Sequence, residues 1–381
     1  MPDPFERYAQ LRAAGPVVPI ASGRLGAFGY AAATQLLRDP RFGTGPLSLL
    51  YASMLPPGAL HDEMSRRINF LDAPDHPRVR GLVVKAFTPR RVTTLRAWVE
   101  AKATELVEAL VVEPDGTVEV MGGLAHPLPS LVISEMLGVP VACRDQLTEL
   151  SDAITPMFGT TVTGAERARA VDAAEVMHAV LATELDLRRA APQDDLLSAV
   201  VAAEENGERL SRPEMMSLIA TLYSAGHRTT RDLFGNGLDL ILGFGVPMSG
   251  ATDVAVVEEV VRLATPTHYV ARFAAEATEL DGEAIAANQP VMVFLAAANR
   301  DPVAYSDPDE FRPGRSGPPA LSFALGPHFC LGAALARMEV EVMLGAFADR
   351  FPDARASGRK RRWHQRGPFR GLDELVVRVR D

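Results

Sequence analysis

One cysteine of this chain lies in a loop whose neighbouring residues suit a metal-binding thiolate. Cys330 stands in the segment FALGPHFCLG, with Gly326 before it and Gly332 after it. Apolar residues recur at helical spacing in the following LGAALARMEVEVML, so we expect the sulfur near a helix N-terminus, where backbone N–H groups favour a thiolate. A thiolate can bind iron, and the two glycines allow the backbone to approach a flat ligand closely. The alternative for a lone cysteine is a buried thiol beside a turn.

Charged and polar residues recur at helical spacing in three further segments. His76 and Arg80 are four residues apart in FLDAPDHPRVR, and Glu259 and Arg262 are three apart in EEVVRL. Glu259 and Arg262 therefore share one face of a predicted helix. The third segment, AGHRTT at Ala225–Thr230, lies inside a longer helical pattern.

Helical signals dominate the middle of the chain. Ser211 and Glu214 form a capping-box pattern, and the helix that starts there continues to about Leu242, roughly 45 Å at 1.5 Å per residue. Strand signals cluster later, in TELDGEAI, PVMVFLAAA and DELVVRV. The sequence therefore predicts a mainly α protein with small β-sheets.

Composition favours one domain over residues 1–381, because no repeat, linker or long charge block divides the chain. A net charge of -9 argues against general nucleic-acid binding. The N-terminal MPDPFERYAQLRAAG has charges and prolines but no apolar segment, which predicts neither a signal peptide nor a membrane anchor. With only Cys143 and Cys330 there is no disulfide framework, so we expect a cytoplasmic protein whose Cys330 stays reduced.

Taken in order along the chain, these motifs resemble those of the cytochrome P450 family, specifically the soluble bacterial haem-thiolate monooxygenases. FRPGR, with Phe311 and Arg315, completes the pattern, and the similarity runs from about Pro4 to the closing FRGLDELVVRV. The resemblance implies the cytochrome P450 fold, with haem b (iron protoporphyrin IX) buried between the long central helix and the Cys-ligand loop. It also implies an oxidoreductase that inserts one oxygen atom from O2 into a small lipophilic substrate, as in bacterial secondary metabolite biosynthesis.

The resemblance assigns the iron ligand to Cys330 and the contacts with the haem propionates to four side chains: His76, Arg80, Arg272 and His328. Other implied haem contacts are Ala225, Phe323, Gly326 and Gly332. Ala324 departs from the family pattern, which commonly has glycine there, and we expect the loop to tolerate the methyl group. Glu259, Arg262 and Arg315 resemble the family's Glu-Arg-Arg network, and we expect them to be structural because a buried ion network is costly to break at one partner.

Two adjacent residues of AGHRTT are the implied catalytic candidates. Thr229 resembles the hydroxyl that holds the proton network of bound oxygen; the alternative is a mid-helix threonine bonded back to a carbonyl. Arg228 stands where most members carry Asp or Glu, and a guanidinium cannot shuttle protons near neutral pH. Arg228 could pair with Asp232 one helical turn on. Alternatively, it could bind a substrate carboxylate, as an arginine does in the fatty-acid peroxygenase branch, although the retained Thr229 argues against a full assignment to that branch.

The resemblance also implies a mainly apolar substrate pocket, which suggests a small lipophilic molecule. Tyr223, His268 and Arg228 could add polar anchors there, or could simply be packed or solvated. Bacterial members of this size often tailor polyketides, peptides or terpenoids, sometimes as carrier-protein thioesters. The expected lining residues are Phe70, Ala220, Tyr223, Ser224, Thr267, His268, Tyr269, Val270 and Phe369.

The chain contains no flavin or iron–sulfur module, so the resemblance implies electrons from a ferredoxin and an NAD(P)H-dependent ferredoxin reductase. Arg90, Arg91 and Arg337 could meet such an acidic partner or could be ordinary surface charges. Two other functions stay open. One is a haem-thiolate enzyme with atypical chemistry, such as peroxide-driven oxidation, coupling or isomerisation, that uses Arg228 as a substrate anchor. The other is a non-catalytic family member that binds a partner protein, which the presence of Cys330 disfavours.

Overall fold

A computed structural model gives the fold and describes residues 3–84, 87, 89–159, 162–205 and 208–380. The α-helices of these residues are α1 (Phe5–Ala14), α2 (Tyr30–Arg38), α3 (Pro46–Met54), α4 (Ala59–Arg66), α5 (Asp75–Val84), α6 (Pro89–Ala109), α7 (Pro127–Leu137), α8 (Val141–Ile154), α9 (Gly164–Ala190), α10 (Leu196–Ala202), α11 (Arg212–Gly243), α12 (Val254–Leu263), α13 (Leu295–Ala298) and α14 (Ala333–Arg350). The predicted mainly α architecture is confirmed.

The β-strands are short. They are β1 (Val17–Pro19), β2 (Leu25–Ala27), β3 (Phe42–Gly43), β4 (Thr117–Glu119), β5 (Glu204–Glu205), β6 (Glu208–Arg209), β7 (Val270–Ala274), β8 (Thr278–Leu280), β9 (Glu283–Ile285), β10 (Pro290–Val293), β11 (Arg355–Ala356), β12 (Arg362–Arg366), β13 (Phe369–Glu374) and β14 (Val376–Arg378). The strand predicted in PVMVFLAAA is wrong at its end, because LAAA forms the short helix α13.

The chain divides into two compact units. Unit 1 consists of the described parts of Met1–Gly43, Arg96–Leu128 and Thr229–Asp381, and unit 2 consists of those of Thr44–Leu95 and Pro129–Arg228. The prediction of one domain over residues 1–381 stays a prediction.

Unit 1 is built on a five-stranded sheet in the order β1-β2-β10-β7-β3. Strand β10 pairs with β2 in parallel and with β7 antiparallel, which places Val291 opposite Arg272. Apolar side chains of the sheet and of α2 pack together in one core cluster, which includes Leu36 and Val293. The sheet therefore fixes the position of Arg272, one of the predicted haem contacts.

Helix α12 in unit 1 depends on burial of one apolar face. Val256, Val257, Val260 and Val261 are all buried. Valine is a weak helix former, so packing of this face rather than intrinsic propensity stabilises the helix. The same helix carries Glu259 inward beside these valines.

Helix α11 has 32 residues, about 48 Å at 1.5 Å per residue. Its predicted capping box is confirmed: the backbone N–H of Ser211 donates to Glu214 Oε2 at 2.7 Å, and the N–H of Glu214 donates to Ser211 Oγ at 3.4 Å. The predicted end at about Leu242 agrees with the observed end at Gly243.

Among the described residues, no single helix has the length and apolar composition needed to cross a membrane. One helix pair bent at a short break, Met121–Leu137 with Val141–Phe158, meets the length and composition criteria together.

Candidate functional site

The Cys330 loop in unit 1 has the predicted relation to a helix. Cys330 is exposed and lies three residues before the start of α14. Its backbone N–H donates to the carbonyl of Phe323 at 3.0 Å, and the N–H of Phe329 donates to the carbonyl of Gly326 at 3.0 Å. These two hydrogen bonds shape a tight loop that presents the sulfur of Cys330 next to a helix N-terminus.

Two residues of this loop have left-handed backbone conformations. Gly326 has φ 73°, and a Cβ atom there would lie 2.3 Å from the carbonyl oxygen of Leu37, so only glycine fits. Ala324 has φ 55°, a conformation that L-residues other than glycine, asparagine and aspartate rarely adopt. The loop accommodates the methyl group of Ala324, but its backbone is strained there.

The composition of the Cys330 loop fits a haem iron. Within the part of the chain that the structure describes, no group of three or more His, Cys, Asp and Glu side chains could hold a metal ion. The thiol of Cys330 is exposed. At Gly332 no described atom lies within 4 Å of the position that a Cβ would take, so packing of the protein itself does not demand glycine there. A flat ligand beside the sulfur would require glycine there, because it would leave no room for a Cβ.

Glu259, Arg262 and Arg315 form a buried ion network in unit 1. Arg262 donates to both oxygens of Glu259, at 2.8 and 2.7 Å, and Arg315 Nε donates to Glu259 Oε1 at 2.9 Å. The side chains of Glu259 and Arg262 are each 3% exposed. Burial alone would raise the pKa of Glu259, but hydrogen bonds from Arg262, the backbone of Arg312 and Arg315 outweigh it and hold the pKa below its ordinary value. Arg262 also donates to the carbonyl of Asn299 at 2.7 Å.

The remaining predicted haem contacts of unit 1 lie on the sheet and on the Cys330 loop. Arg272 is buried on β7, and its Nη1 donates to the carbonyl of Ala271 at 2.9 Å. His328 is half-buried. The ring of Phe323 lies under the guanidinium of Arg337, 4.5 Å from ring centroid to Cζ.

Arg337 is one of the three arginines considered as contacts for an acidic redox partner. It is paired with Glu258, with 3.1 Å between Arg337 Nη2 and Glu258 Oε2. The side chains of Arg90 and Arg91 lie outside the described residues. Of the three, only Arg337 has a described environment, and it holds a carboxylate in that environment.

In unit 2, His76 and Arg80 lie one turn apart on α5, as predicted. His76 is buried and Arg80 is half-buried. The backbone N–H of His76 donates to the carbonyl of Asp72 at 2.8 Å and so fixes the start of the helix. Ala225, on the part of α11 in unit 2, is exposed, and Thr229, on the part of α11 in unit 1, is half-buried.

Arg228 has a partner that the sequence did not suggest. Its Nη1 lies 3.1 Å from Oδ1 of Asp152, which comes from α8. The side chain of Arg228 is 3% exposed and that of Asp152 is 31% exposed. His227 Nε2 also lies 3.6 Å from the same carboxylate oxygen. The Arg228 charge therefore has a counterion within the protein, which removes the need for a substrate carboxylate.

Tyr223, predicted in the substrate pocket, is packed in the core of unit 2. Its ring is fully buried, and its hydroxyl lies 3.1 Å from Ser134 Oγ, 2.9 Å from Thr148 Oγ1 and 3.0 Å from the carbonyl of Arg144. Burial raises the pKa of Tyr223, since the hydroxyl would have to ionise away from water. With its hydroxyl engaged by these partners, Tyr223 has the packed environment that the sequence left open as the alternative to a polar substrate anchor.

His268 is likewise packed rather than presented to a substrate. The hydroxyl of Tyr8 lies 3.0 Å from His268 Nδ1, and the ring of Phe5 lies 5.6 Å away between centroids. Burial, and secondarily the charges of Arg370 and Arg300, lower the pKa of His268 to about 3. The imidazole is neutral at physiological pH and belongs to the interior of unit 1.

The other predicted pocket residues have less specific environments. Phe70 and Ala220 are buried in unit 2, and Ser224 there is half-buried. In unit 1, an isolated β-bridge joins Thr267 to Phe369 at the turn of the β12–β13 hairpin. Half-buried residues follow it in the chain, at Tyr269 and Val270.

Two residues with structural roles beside these positions were missed from the sequence. They are Asp152, on α8, and Arg67, which donates from Nη2 to Ser224 Oγ at 2.8 Å. Arg67 and Glu63 are four residues apart, a spacing that predicts an ion pair on a helix. That spacing was a usable signal for a pair, although it does not show that the pair is buried.

Comparisons with known proteins agree with these features. A model of the family described as Cytochrome P450 matches residues 254–358. The chain is 36% identical to Cytochrome P450 monooxygenase PikC of Streptomyces venezuelae, over 99% of this chain and 91% of that protein. It is 34% identical to 6-deoxyerythronolide B hydroxylase of Saccharopolyspora erythraea, over 99% and 96% of the two chains.

Among solved structures, P450BioI in complex with hexadec-9Z-enoic acid ligated acyl carrier protein superposes with a TM-score of 0.90. The two chains are 29% identical, and the match covers 99% of this chain and 98% of P450BioI. The predicted fold is confirmed.

Proposed function

The chain belongs to the cytochrome P450 family, a family of haem-dependent monooxygenases, and from this premise we propose that it oxidises a small lipophilic product of bacterial secondary metabolism. Supporting this proposal, PikC and 6-deoxyerythronolide B hydroxylase are monooxygenase or hydroxylase relatives aligned over nearly the whole chain. A third relative, of Bacillus subtilis, is named a polyketide biosynthesis cytochrome P450 and is 34% identical over 80% of this chain.

The haem in this proposal is haem b, with the sulfur of Cys330 as the protein ligand of its iron. Propionate contacts are assigned to His76 and Arg80 on α5, to Arg272 on β7, and to His328. When bound, the haem with its thiolate ligand supplies the oxidising power, because the thiolate favours O–O cleavage. Each assigned basic side chain then has one function, which is to hold and neutralise a carboxylate of the cofactor.

The protein's own contribution is to position the substrate and to hold protons. Thr229 is assigned the hydroxyl that holds a proton beside the oxygen-binding face. Arg228 cannot exchange protons near neutral pH, since its guanidinium is always charged. Its pairing with Asp152 favours a structural charge pair over a substrate anchor. For that reason we prefer the monooxygenase to the atypical, carboxylate-anchored reaction.

Substrate contacts are proposed at seven positions, which exclude the packed Tyr223 and His268. The assigned residues are Phe70, Ala220, Ser224, Thr267, Tyr269, Val270 and Phe369. Most of these side chains are apolar, which suits a lipophilic molecule. Delivery of the substrate by a carrier protein is part of the proposal, because the similar P450BioI has been solved with an acyl carrier protein.

Electrons are proposed to come from a ferredoxin and its NAD(P)H-dependent reductase, since the chain carries no flavin or iron–sulfur sequence of its own. We also place the protein in the cytoplasm, where Cys330 stays reduced. The whole chain is proposed to act as one functional domain.

The exposed Cys330 at the start of α14 is the observation that carries the proposal. The chain offers a matched control, because Cys143 is its other cysteine. The reduced, carbon monoxide-bound wild type should show a strongly red-shifted Soret band, which Cys330→Ser should abolish and Cys143→Ser should leave unchanged. A band that survives Cys330→Ser would refute the ligand assignment.

Turnover should then require the electron-donor proteins. With NAD(P)H, ferredoxin and reductase, the wild type should consume O2 in the presence of a lipophilic macrocyclic lactone. Product formation with peroxide but none with these donors would instead support the atypical reaction.

A further inference from the structure

A buried arginine in unit 2 lies next to two of the proposed substrate contacts. Arg67 follows the last residue of α4, and its Nη1 donates to Oε1 of Glu63 four residues earlier. The two side chains are 4% and 1% exposed. A buried ion pair of this kind is not in itself a source of stability, because desolvation of both charges offsets their attraction.

The guanidinium of Arg67 contacts the proposed substrate contact Ser224 and the ring of Phe158. Nη2 donates to Ser224 Oγ at 2.8 Å, and Cζ lies 4.9 Å from the ring centroid of Phe158. Phe158 in turn lies 6.4 Å from both Phe70 and Tyr51, which stack on each other at 5.2 Å. We call Tyr51, Phe70 and Phe158 the aromatic cluster. Arg67 thus places a cation beside the aromatic cluster.

Arg67 has hydrogen-bonding capacity that the protein does not use. Its Nε is buried and has no hydrogen-bond partner among the described residues. A buried donor without an acceptor is destabilising. The neighbouring hydroxyl of Ser224 does not take this role: it accepts from Nη2 at 2.8 Å and donates to the carbonyl of Thr221 at 3.1 Å. An oxygen atom of a ligand would satisfy the donor.

The charge of the pair decides which oxygen fits. Arg67 and Glu63 together are neutral, so a further carboxylate would bring an unbalanced negative charge into a buried site. A carbonyl oxygen accepts the same hydrogen bond without that charge. His178 Nε2 also lies 3.6 Å from the second oxygen of Glu63.

We propose that Arg67 is a specificity-determining residue that donates a hydrogen bond from Nε to a neutral carbonyl oxygen of the substrate, as in a ketone, an ester or a lactone. This inference rests on the proposed function and narrows its substrate class. It also replaces Arg228 with Arg67 as the polar anchor.

The test compares two neighbouring ion pairs with the same four-residue spacing. Arg67 and Glu63 are buried, whereas Arg66 and Asp62 form an exposed pair, with 39% and 47% of the two side chains accessible. The double variants E63Q/R67M and D62N/R66M each remove one pair without leaving a lone charge. Both are purified with haem and checked for the carbon monoxide band.

Binding of cyclododecanone, cyclododecane and cyclododecanecarboxylate is measured at pH 8 by calorimetry. The wild type and D62N/R66M should bind the ketone at least about tenfold more tightly than the hydrocarbon, as expected for a hydrogen bond from a charged donor. In E63Q/R67M the two affinities should become equal. R67K keeps the charge but has no Nε–H at that position, so it should also lose the preference for the ketone. R67K therefore tests the inference even if E63Q/R67M does not fold.

Equal binding of ketone and hydrocarbon by the wild type would overturn the inference, as would a ketone preference that survives in E63Q/R67M or R67K. Tighter binding of the carboxylate than of the ketone would also overturn it. The carbon monoxide band separates these results from failure of the proposed function: a wild type with the band but without the ketone preference refutes only the role of Arg67.

Discussion

Replacement of Glu259 by glutamine should destabilise the protein far more than the same replacement one residue earlier. Glu259 accepts from Arg262 twice, from Arg315, and from the backbone N–H of Arg312. An amide in its place removes the negative charge and turns an N–H₂ group toward the two guanidinium groups. Two buried cations then lack their common counterion, which should cost about 3–5 kcal/mol.

Glu258→Gln is the control for this change. Glu258 is adjacent on α12, but its side chain is 45% exposed and its ion pair with Arg337 lies at the surface. A surface pair of this kind contributes about 0–1 kcal/mol. The two variants differ by one position, carry the same substitution and leave the same net charge, so they isolate the effect of burial.

Urea unfolding followed by circular dichroism measures the difference. Taking a slope of about 4 kcal/mol per M for a chain of this size, a loss of about 4 kcal/mol lowers the midpoint by about 1 M. The control should shift it by less than about 0.3 M. Midpoints that agree within about 0.2 M for the two variants would refute the view that Glu259 is the buried centre of an ion network.

Three further results are expected. Asp152→Ala, Arg228→Met and their double variant should give a coupling free energy of about 1–2 kcal/mol in urea unfolding, below the value for a fully buried pair because Asp152 is partly exposed; additive effects would contradict the pairing. Ala324→Gly should stabilise the protein by about 1 kcal/mol, since it relieves a left-handed alanine, whereas Gly326→Ala should destabilise it by more. Thermal unfolding that shows Ala324→Gly to be destabilising, or Gly326→Ala to be stabilising, would contradict the loop geometry. His268 takes up a proton near pH 6.5 when unfolded but only near pH 3 when folded. Its contribution is therefore present above pH 6.5 and lost as the pH falls toward 3, by about 1.4 kcal/mol per unit, and His268→Gln should flatten the pH dependence of stability between pH 6 and 4.5.

Features encoded by local spacing could be predicted from the sequence. Cys330 before an apolar helical repeat, the capping box at Ser211, and the three-residue step from Glu259 to Arg262 each depend on residues close together in the chain. The structure places Cys330 before α14 and joins Glu259 with Arg262. The geometry of these patterns follows from their spacing, because helix periodicity fixes which side chains share a face.

Features that depend on contacts distant in sequence could not be predicted. Arg228 and Asp152 are 76 residues apart, and Arg67 and Ser224 are 157 apart. No local pattern links the members of either pair. For Arg228, sequence reasoning considered only the helical neighbour Asp232 and a ligand, and the partner from another helix was missed.

Side-chain burial is a second property that the sequence leaves open. Motif alignment placed Tyr223 and His268 beside a substrate, and both have polar atoms that could serve there. In the structure their polar atoms contact other protein groups, through Thr148 for Tyr223 and through Tyr8 for His268. A polar group on an aromatic ring is compatible with either environment, so the residue type alone does not decide between them.

The adjacent residues Glu258 and Glu259 of α12 should differ in their tolerance to substitution. The charged partners of Glu259 lie inside the protein. Water therefore cannot solvate them when Glu259 is substituted. Glu258 meets Arg337 at the surface, where either residue can change while solvent takes over the lost contact. Position 258 and the charge of Arg337 on α14 can therefore change one at a time. A scan of all substitutions along α12 should record tolerance at 258 directly beside intolerance at 259.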